Sequence, residues 1–180
     1  MSEFSESYHL KSNCTDDGVA LLKRAKLQGF IFPSTGGWVT ILPEGAPFAL
    51  NQGLLDANEG ILLHFLNAED HGWGFELYRR ASPLAMYSCV WEDEVQVELP
   101  LDVQSFEREL GPVLTSLGEE TLRRVLKPPS IDDLLETNPA ATFAGALGLV
   151  HFQWLSYEYF ARDQSEGKNN FPEAIFVQKQ

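Results

Sequence analysis

Cysteine is scarce in this sequence of 180 residues, and the two that occur, Cys14 and Cys89, lie far apart. Neither belongs to a C-x-x-C pair, and neither has a histidine at a spacing typical of metal ligands. A disulfide framework is therefore excluded, and nothing supports a zinc site built on cysteine. We expect both thiols to be reduced, and we predict no metal site and no cofactor.

Basic residues are also few. Lysine and arginine number 13 against 26 acidic residues, which gives a formal net charge of −13. Such a chain repels phosphate backbones at long range, and no basic stripe interrupts the acidic sequence. Nucleic acid is therefore not expected as a partner.

Long hydrophobic runs are absent. No stretch approaches the roughly 20 apolar residues that a membrane-spanning helix needs, so no membrane association is predicted. The first six residues, Met-Ser-Glu-Phe-Ser-Glu, lack the basic and apolar segments of a secretion signal. A cytoplasmic location is the resulting expectation.

Catalytic motifs are missing as well. No serine lies in a G-x-S-x-G setting, and the glycines form neither a P-loop nor a G-x-G-x-x-G. The one grouping with catalytic or metal-binding character is His64, Glu69, Asp70 and His71. We interpret it as a buried, hydrogen-bonded His64 beside a polar turn, and we predict no catalytic residue.

The hydrophobic content of 44%, with 12% aromatic residues, is typical of a folded domain. At this length we predict one α+β domain over residues 8–180, preceded by a disordered tail over residues 1–7. Residues 8–99 are rich in strand patterns. Residues 100–180 predict a helical segment and a closing strand.

The stretch from Ile61 to Trp91 indicates three successive antiparallel strands. If Asn67 pairs with Gly72 across the first turn, His64 shares a face with Trp73 and Phe75, because side chains alternate along a strand. The first of these strands is apolar on both sides, so we expect a covering layer on each face of the sheet.

The sheet is predicted to contain about five to seven strands, with the N-terminal helices on one face and the C-terminal helical segment on the other. The candidate strands are Tyr8–Ser12, Phe30–Ser34, Trp38–Leu42, Ile61–Asn67, Gly72–Arg79, Leu84–Trp91, Val95–Leu99 and Ala174–Val177. The candidate helices run from about Thr15 to Gly29, then over Phe48–Asn58, Gln104–Leu110, Glu119–Leu126, Ile131–Glu136 and Pro139–Leu149.

A helix, a glycine, a strand, a turn, a Gly-Trp pair and a strand occur twice, around Trp38 and around Trp73. This order suggests an α-β-β duplication, although two units can also match by chance. A duplication predicts both helices on one face of a single antiparallel sheet, with the two tryptophans at related positions.

The acidic run Glu92, Asp93 and Glu94 is the candidate partner-binding face. Our main hypothesis is a non-enzymatic acidic protein that binds another, basic protein, since complementary charge raises the association rate. Immunity proteins and inhibitors of bacteria share this general character, an analogy of type rather than a motif match.

Two alternatives stay open. Aromatic side chains line ligand pockets, so a small-ligand or enzymatic domain would use His71, Trp73, Trp154 and Tyr157. A structural homo-oligomer would instead pair two copies through Val95–Leu99 as an exposed edge strand.

Overall fold

The computed structural model describes residues 4–92, 94–98, 108, 111, 117–168 and 170–179. Its strands, in chain order, are β1 Phe4–Lys11, β2 Gly29–Ile31, β3 Trp38–Pro43, β4 Ile61–Ala68, β5 Gly72–Arg79, β6 Ser82–Trp91, β7 Val95–Glu98 and β8 Ile175–Val177. All eight join one sheet in the order β7-β6-β5-β4-β1-β3-β2-β8, and every pairing is antiparallel.

The predicted α+β class is confirmed, with one strand more than the upper limit expected. The predicted tail is wrong for residues 4–7, because β1 begins at Phe4, which pairs with Ala68. Ser5 and Ser7 are polar but fully buried, since their hydroxyls have partners: Ser5 Oγ accepts from Leu155 N at 3.1 Å, and Ser7 Oγ lies 2.9 Å from a histidine nitrogen. Residues 1–3 lie outside the described residues.

The described helices are α1 Thr15–Ala25, α2 Gln52–Asp56, α3 Glu119–Leu126, α4 Ile131–Thr137, α5 Pro139–Leu147 and α6 Tyr157–Ser165. Short polar side chains accept a backbone N–H at the start of several helices, as Ser130 does for α4 and Ser156 for α6. Apart from Arg108, the predicted helix Gln104–Leu110 lies outside the described residues. None of the described helices is long and apolar enough to span a membrane.

The side chains of the central strand β1 alternate between two covered faces of the sheet. Helices α1 and α2 pack on the face of Tyr8 and Leu10, which we call the α1 face. Their approach is close, since a Cβ added to Gly18 of α1 would lie only 2.6 Å from Val39 of β3.

Helix α5 packs on the opposite face, which we call the α5 face. Its Phe143 stacks on Phe75 of β5 with ring centroids 4.5 Å apart, and the Trp38 indole Nε1 donates to Leu147 O at 2.9 Å. The prediction of N-terminal helices on one face and a C-terminal helical cover on the other is therefore confirmed.

The predicted register between β4 and β5 is wrong by one residue. Ala68 pairs with Gly72, so the turn contains three residues, Glu69 to His71, rather than four. A one-residue slip moves every side chain of one strand to the other face. His64 consequently lies opposite Glu76 on the α1 face, while Trp73 lies on the α5 face.

The arrangement that a duplication predicts is present in part. Helices α1 and α2 lie on the same face, and Trp38 and Trp73, each near the start of the second strand of its unit, both pack on the other. Common ancestry of the two units stays a prediction.

Candidate functional site

Two acidic turns lie side by side at one end of the sheet. The turn of Glu69 and Asp70 joins β4 to β5, and the turn of Glu92 and Glu94 joins β6 to β7. They meet because Trp91 N donates to His71 O at 2.9 Å. We call Glu69, Asp70, Glu92 and Glu94 the acidic end.

The predicted partner-binding residues Glu92 and Glu94 are exposed at this end, and Asp93 lies outside the described residues. Among the ion pairs of the described residues, none includes Glu92 or Glu94. Exposed Val90 and His71 line the same open depression as these two carboxylates. The surface thus combines negative charge with an apolar side chain.

Strand β7 forms the adjoining edge of the sheet, as predicted. Val95 and Val97 are half-buried and pack against the core of the α5 face, whereas Gln96 and Glu98 are exposed. No described strand pairs with the outer side of β7. Edge strands present unpaired N–H and C=O groups, which makes this edge able to accept another strand.

The four predicted ligand-binding residues do not form one site. Trp73 and Trp154 line one cleft on the α5 face. His71 lies on the acidic turn, 6.0 Å from the Phe4 ring. Tyr157 lies at the start of α6, where its hydroxyl accepts from Gln28 Nε2 at 3.0 Å.

A charged cluster that the sequence reasoning missed lies on the α1 face. His64 Nε2 is 2.8 Å from Glu6 Oε1, and its Nδ1 is 3.7 Å from Glu76 Oε2. Tyr78 donates to the same Glu76 oxygen at 2.7 Å, and the Tyr8 ring stacks on the imidazole at 4.3 Å and 7°. We call these five residues the His64 cluster.

The cluster favours a positive imidazolium between two negative carboxylates. Burial alone lowers the pKa of His64, but the hydrogen bond to Glu6 and the contact with Glu76 outweigh it, so the pKa of His64 is raised. The contact with His64 lowers the pKa of Glu76, and the hydrogen bond from Tyr78 acts in the same direction. Burial raises the pKa of Tyr8. Its ring stacks on the imidazole, a geometry in which a protonated His64 gains cation–π attraction.

The His64 cluster joins elements of the fold rather than presenting a reactive group. The His64 side chain is only 2% exposed. Glu6 also accepts from Phe48 N at 2.7 Å, and the Tyr8 hydroxyl accepts from Asn51 N at 2.8 Å. The ion pairs therefore join β1, β4 and β5, and the two backbone hydrogen bonds tie these strands to the segment that leads into α2.

A second buried histidine, His9, lies on the α5 face in a neutral setting. Its Nε2 is 2.9 Å from Ser7 Oγ, and its Nδ1 is 3.1 Å from Thr40 Oγ1. Burial lowers the pKa of His9 to about 3, and nearby His151 and His64 act in the same direction. No carboxylate is within hydrogen-bonding distance of this ring among the described contacts.

The described residues contain no group of three or more His, Cys, Asp or Glu side chains that is arranged to hold a metal ion. Both cysteines are free thiols, Cys14 exposed and Cys89 buried. Burial raises the pKa of Cys89, which disfavours the reactive thiolate.

The sequence did contain a signal for the His64 cluster. Glu6-Ser7-Tyr8 and Glu76-Leu77-Tyr78 share the pattern E-x-Y. In a strand this spacing places carboxylate and phenol on one face. Both strands pair with β4, which carries His64.

Comparison with known proteins adds no functional information. The chain matches no protein-family model, no curated protein and no solved structure.

Proposed function

We propose that this protein acts without catalysis by binding another, basic protein through the acidic end and β7. The observation that carries the proposal is the contact between the two acidic turns, made by the hydrogen bond from Trp91 N to His71 O. It brings carboxylates from separate parts of the sequence to one surface beside an open sheet edge.

Electrostatics supports a basic partner. A net charge of −13 attracts a positively charged protein at long range, and the acidic end gives this attraction a direction. Complementary charge chiefly raises the association rate and selects against acidic partners. It also makes the binding sensitive to salt, since exposed charges are screened within about 10 Å at 0.1 M ionic strength.

The open edge of β7 indicates how the partner would bind. An extended segment of the partner can add to β7 as a ninth strand, with affinity from main-chain hydrogen bonds and specificity from alternate side chains. Exposed Gln96 and Glu98 would face the alternate side chains of that segment. Lysine or arginine at those positions would meet Glu98.

The test is charge reversal with a matched control. The immobilised protein is used to capture proteins from an extract of the cells that produce it, and the captured protein is purified and titrated. The variant Glu92→Lys with Glu94→Lys is compared with Glu44→Lys with Glu119→Lys, two exposed sites away from the acidic end. Both double variants change the net charge by the same amount.

We expect a basic protein that is retained at low salt and released at high salt. Its affinity should fall at least about tenfold for the variant at Glu92 and Glu94, because two attractive contacts become repulsive. The control should bind within about threefold of the wild type, since only the global charge differs. Equal losses in both variants, or retention of an acidic protein, would contradict the proposal.

Sedimentation addresses the homo-oligomer alternative with the same proteins. Pairing of two β7 edges would bring two acidic ends together, which like-charge repulsion disfavours. Val97 pairs with Cys89, which bonds β5, so the N–H of Val97 points away from β6. A concentration-dependent dimer of the wild type that is lost when Val97 is replaced by proline would favour self-association over a basic partner.

A further inference from the structure

A cleft opens on the α5 face at the end of β4, β5 and β6. Its lining includes Asn67, Trp73, Trp91, Gln153 and Trp154, with Glu69 of the acidic end beside them. Its volume is about 280 Å³. Ligand pockets span about 300–1,000 Å³, so this cleft suits a single small ring rather than an extended molecule.

One buried donor of a residue that lines this cleft has no partner among the described residues. Trp73 is only 3% exposed, and its indole Nε1 makes no hydrogen bond to any residue that the structure describes. Trp38, the corresponding tryptophan of the first α-β-β unit, instead donates its Nε1 to Leu147 O at 2.9 Å. Buried N–H groups without an acceptor are rare in native proteins, and an unpaired one calls for a ligand or water that accepts.

Trp154 supplies an aromatic surface to the same cleft. It is 47% exposed and lies in the left-handed region with φ of 56°. This backbone conformation is uncommon for a bulky side chain. A large ring that stays accessible beside a concave site is suited to stack on a flat ligand.

The polar groups of the cleft restrict the ligand further. The amides of Asn67 and Gln153 can both donate and accept hydrogen bonds, and the Glu69 carboxylate accepts them. The negative charge of Glu69 and of the acidic end opposes phosphates and carboxylates. The ligand therefore carries uncharged groups that both donate and accept, together with an apolar ring face.

We propose that this cleft binds a neutral sugar ring. A sugar hydroxyl accepts from Trp73 Nε1, other hydroxyls pair with Asn67, Gln153 and Glu69, and the C–H face of the ring lies against Trp154. This site shares Glu69 with the acidic end, but the variants at Glu92 and Glu94 leave the cleft residues unchanged, so the two proposals can be tested independently.

The experiment titrates the protein with glucose, galactose, mannose and N-acetylglucosamine, followed by tryptophan fluorescence and saturation-transfer NMR. Glucose 6-phosphate is the matched anionic probe. Trp73→Phe removes the indole N–H together with the five-membered ring and keeps a six-membered aromatic ring, and Trp154→Ala removes the stacking surface. Phe176→Ala is the control, since it truncates an exposed aromatic side chain at the β8 edge.

We expect saturable binding of at least one neutral sugar, weakened at least about tenfold by Trp73→Phe and by Trp154→Ala, since a site built for hydrogen bonding loses strongly when a partner group is absent. Phe176→Ala should bind as the wild type does, and glucose 6-phosphate should bind at least about tenfold more weakly than glucose.

Three results would overturn this proposal. They are the absence of saturable binding for every neutral sugar, full binding by Trp154→Ala, and preference for the phosphorylated sugar. Should Trp73→Phe fail to fold, Trp154→Ala alone decides, because that side chain is half exposed and its loss leaves the core intact.

Discussion

Carboxylates are held in two different ways in this molecule. In the His64 cluster, Glu6 and Glu76 are largely covered, and each faces the same imidazole. At the acidic end, Glu92 and Glu94 face solvent and take part in none of the described ion pairs. Because a covered charge needs a partner, the first pair contributes to the stability of the fold. The second pair contributes little to stability and is available to a binding partner.

The two buried histidines also differ in their surroundings. They lie on neighbouring strands and on opposite faces of the sheet, and their pKa values move in opposite directions. His64 has two carboxylates beside it, whereas His9 has the hydroxyls of Ser7 and Thr40. The neighbours of the ring, rather than burial alone, therefore decide which protonation state the fold favours.

The largest effect is expected from His64→Leu. This change leaves Glu6 and Glu76 covered and without the imidazolium, which should lower the free energy of unfolding by about 3–5 kcal/mol. Urea unfolding at pH 6 measures it. The matched control is His71→Leu, an exposed histidine on the turn, which should stay within about 0.5 kcal/mol of the wild type. Equal losses of unfolding free energy for the two variants would mean that the His64 cluster does not stabilise the fold more than an exposed histidine does.

A smaller loss of unfolding free energy is expected from a change beside His9, the buried histidine in the neutral setting. Thr40→Val removes the hydroxyl that lies 3.1 Å from His9 Nδ1 and leaves that nitrogen without a partner, at a cost of about 1–3 kcal/mol. Thr35→Val, at an exposed hydroxyl, is the control and should change stability by less than about 0.5 kcal/mol. An unchanged free energy of unfolding for Thr40→Val would show that the burial of His9 does not depend on this hydrogen bond.

The pH dependence of stability should separate the two histidines. The pKa of His64 is raised above 6.5, so the folded state binds more protons in the window above 6.5, and the unfolding free energy falls as pH rises through it. The pKa of His9 is lowered to about 3, so the unfolded state binds more protons between 6.5 and 3, and the unfolding free energy falls as pH falls. Each contribution has a slope of at most about 1.4 kcal/mol per pH unit.

Measurement of this pH dependence needs two readouts. Urea unfolding of the wild type and of His64→Leu, compared between pH 5 and 9, isolates the part due to His64. Titration of the imidazole C–H signals by NMR assigns the two rings separately. A His64 signal that titrates below 6.5 would contradict the ion pairs described for the His64 cluster.

The smallest effect on stability is expected at the acidic end. Glu92→Lys with Glu94→Lys should change the free energy of unfolding by less than about 0.5 kcal/mol, since both side chains are exposed. Glu76→Lys makes the same chemical change in the other region, where it places a cation against His64 and should cost about 3 kcal/mol or more. Thermal and urea unfolding of the two variants gives the comparison directly.

Much of the fold could be predicted from the sequence because its strands alternate regularly and its breaks contain glycine and proline. The bounds predicted for β5 are those observed, and the predicted edge strand is β7. The register of β4 against β5 could not be predicted, because it depends on whether Ala68 belongs to the strand or to the turn. That single residue decided the face on which His64 lies.

The surface at the acidic end was predicted in part. Glu92 and Glu94 were expected to be exposed, but the position of Glu69 and Asp70 beside them depends on the order in which β4 to β7 pair. The four residues predicted to bind a ligand do not form one site for a similar reason. Trp73 and Trp154 line one cleft only because the chain returns to the end of the sheet after α5, and Tyr157 begins the next helix.

Amide hydrogen exchange of the complex shows where the basic partner binds. Binding at the acidic end and along β7 should give new protection at the amides of β7 that point away from β6 and at the turns containing Glu69 and Glu92, with exchange at β8 unchanged. Protection at the β8 edge, with β7 exchanging as it does in the free protein, would contradict it.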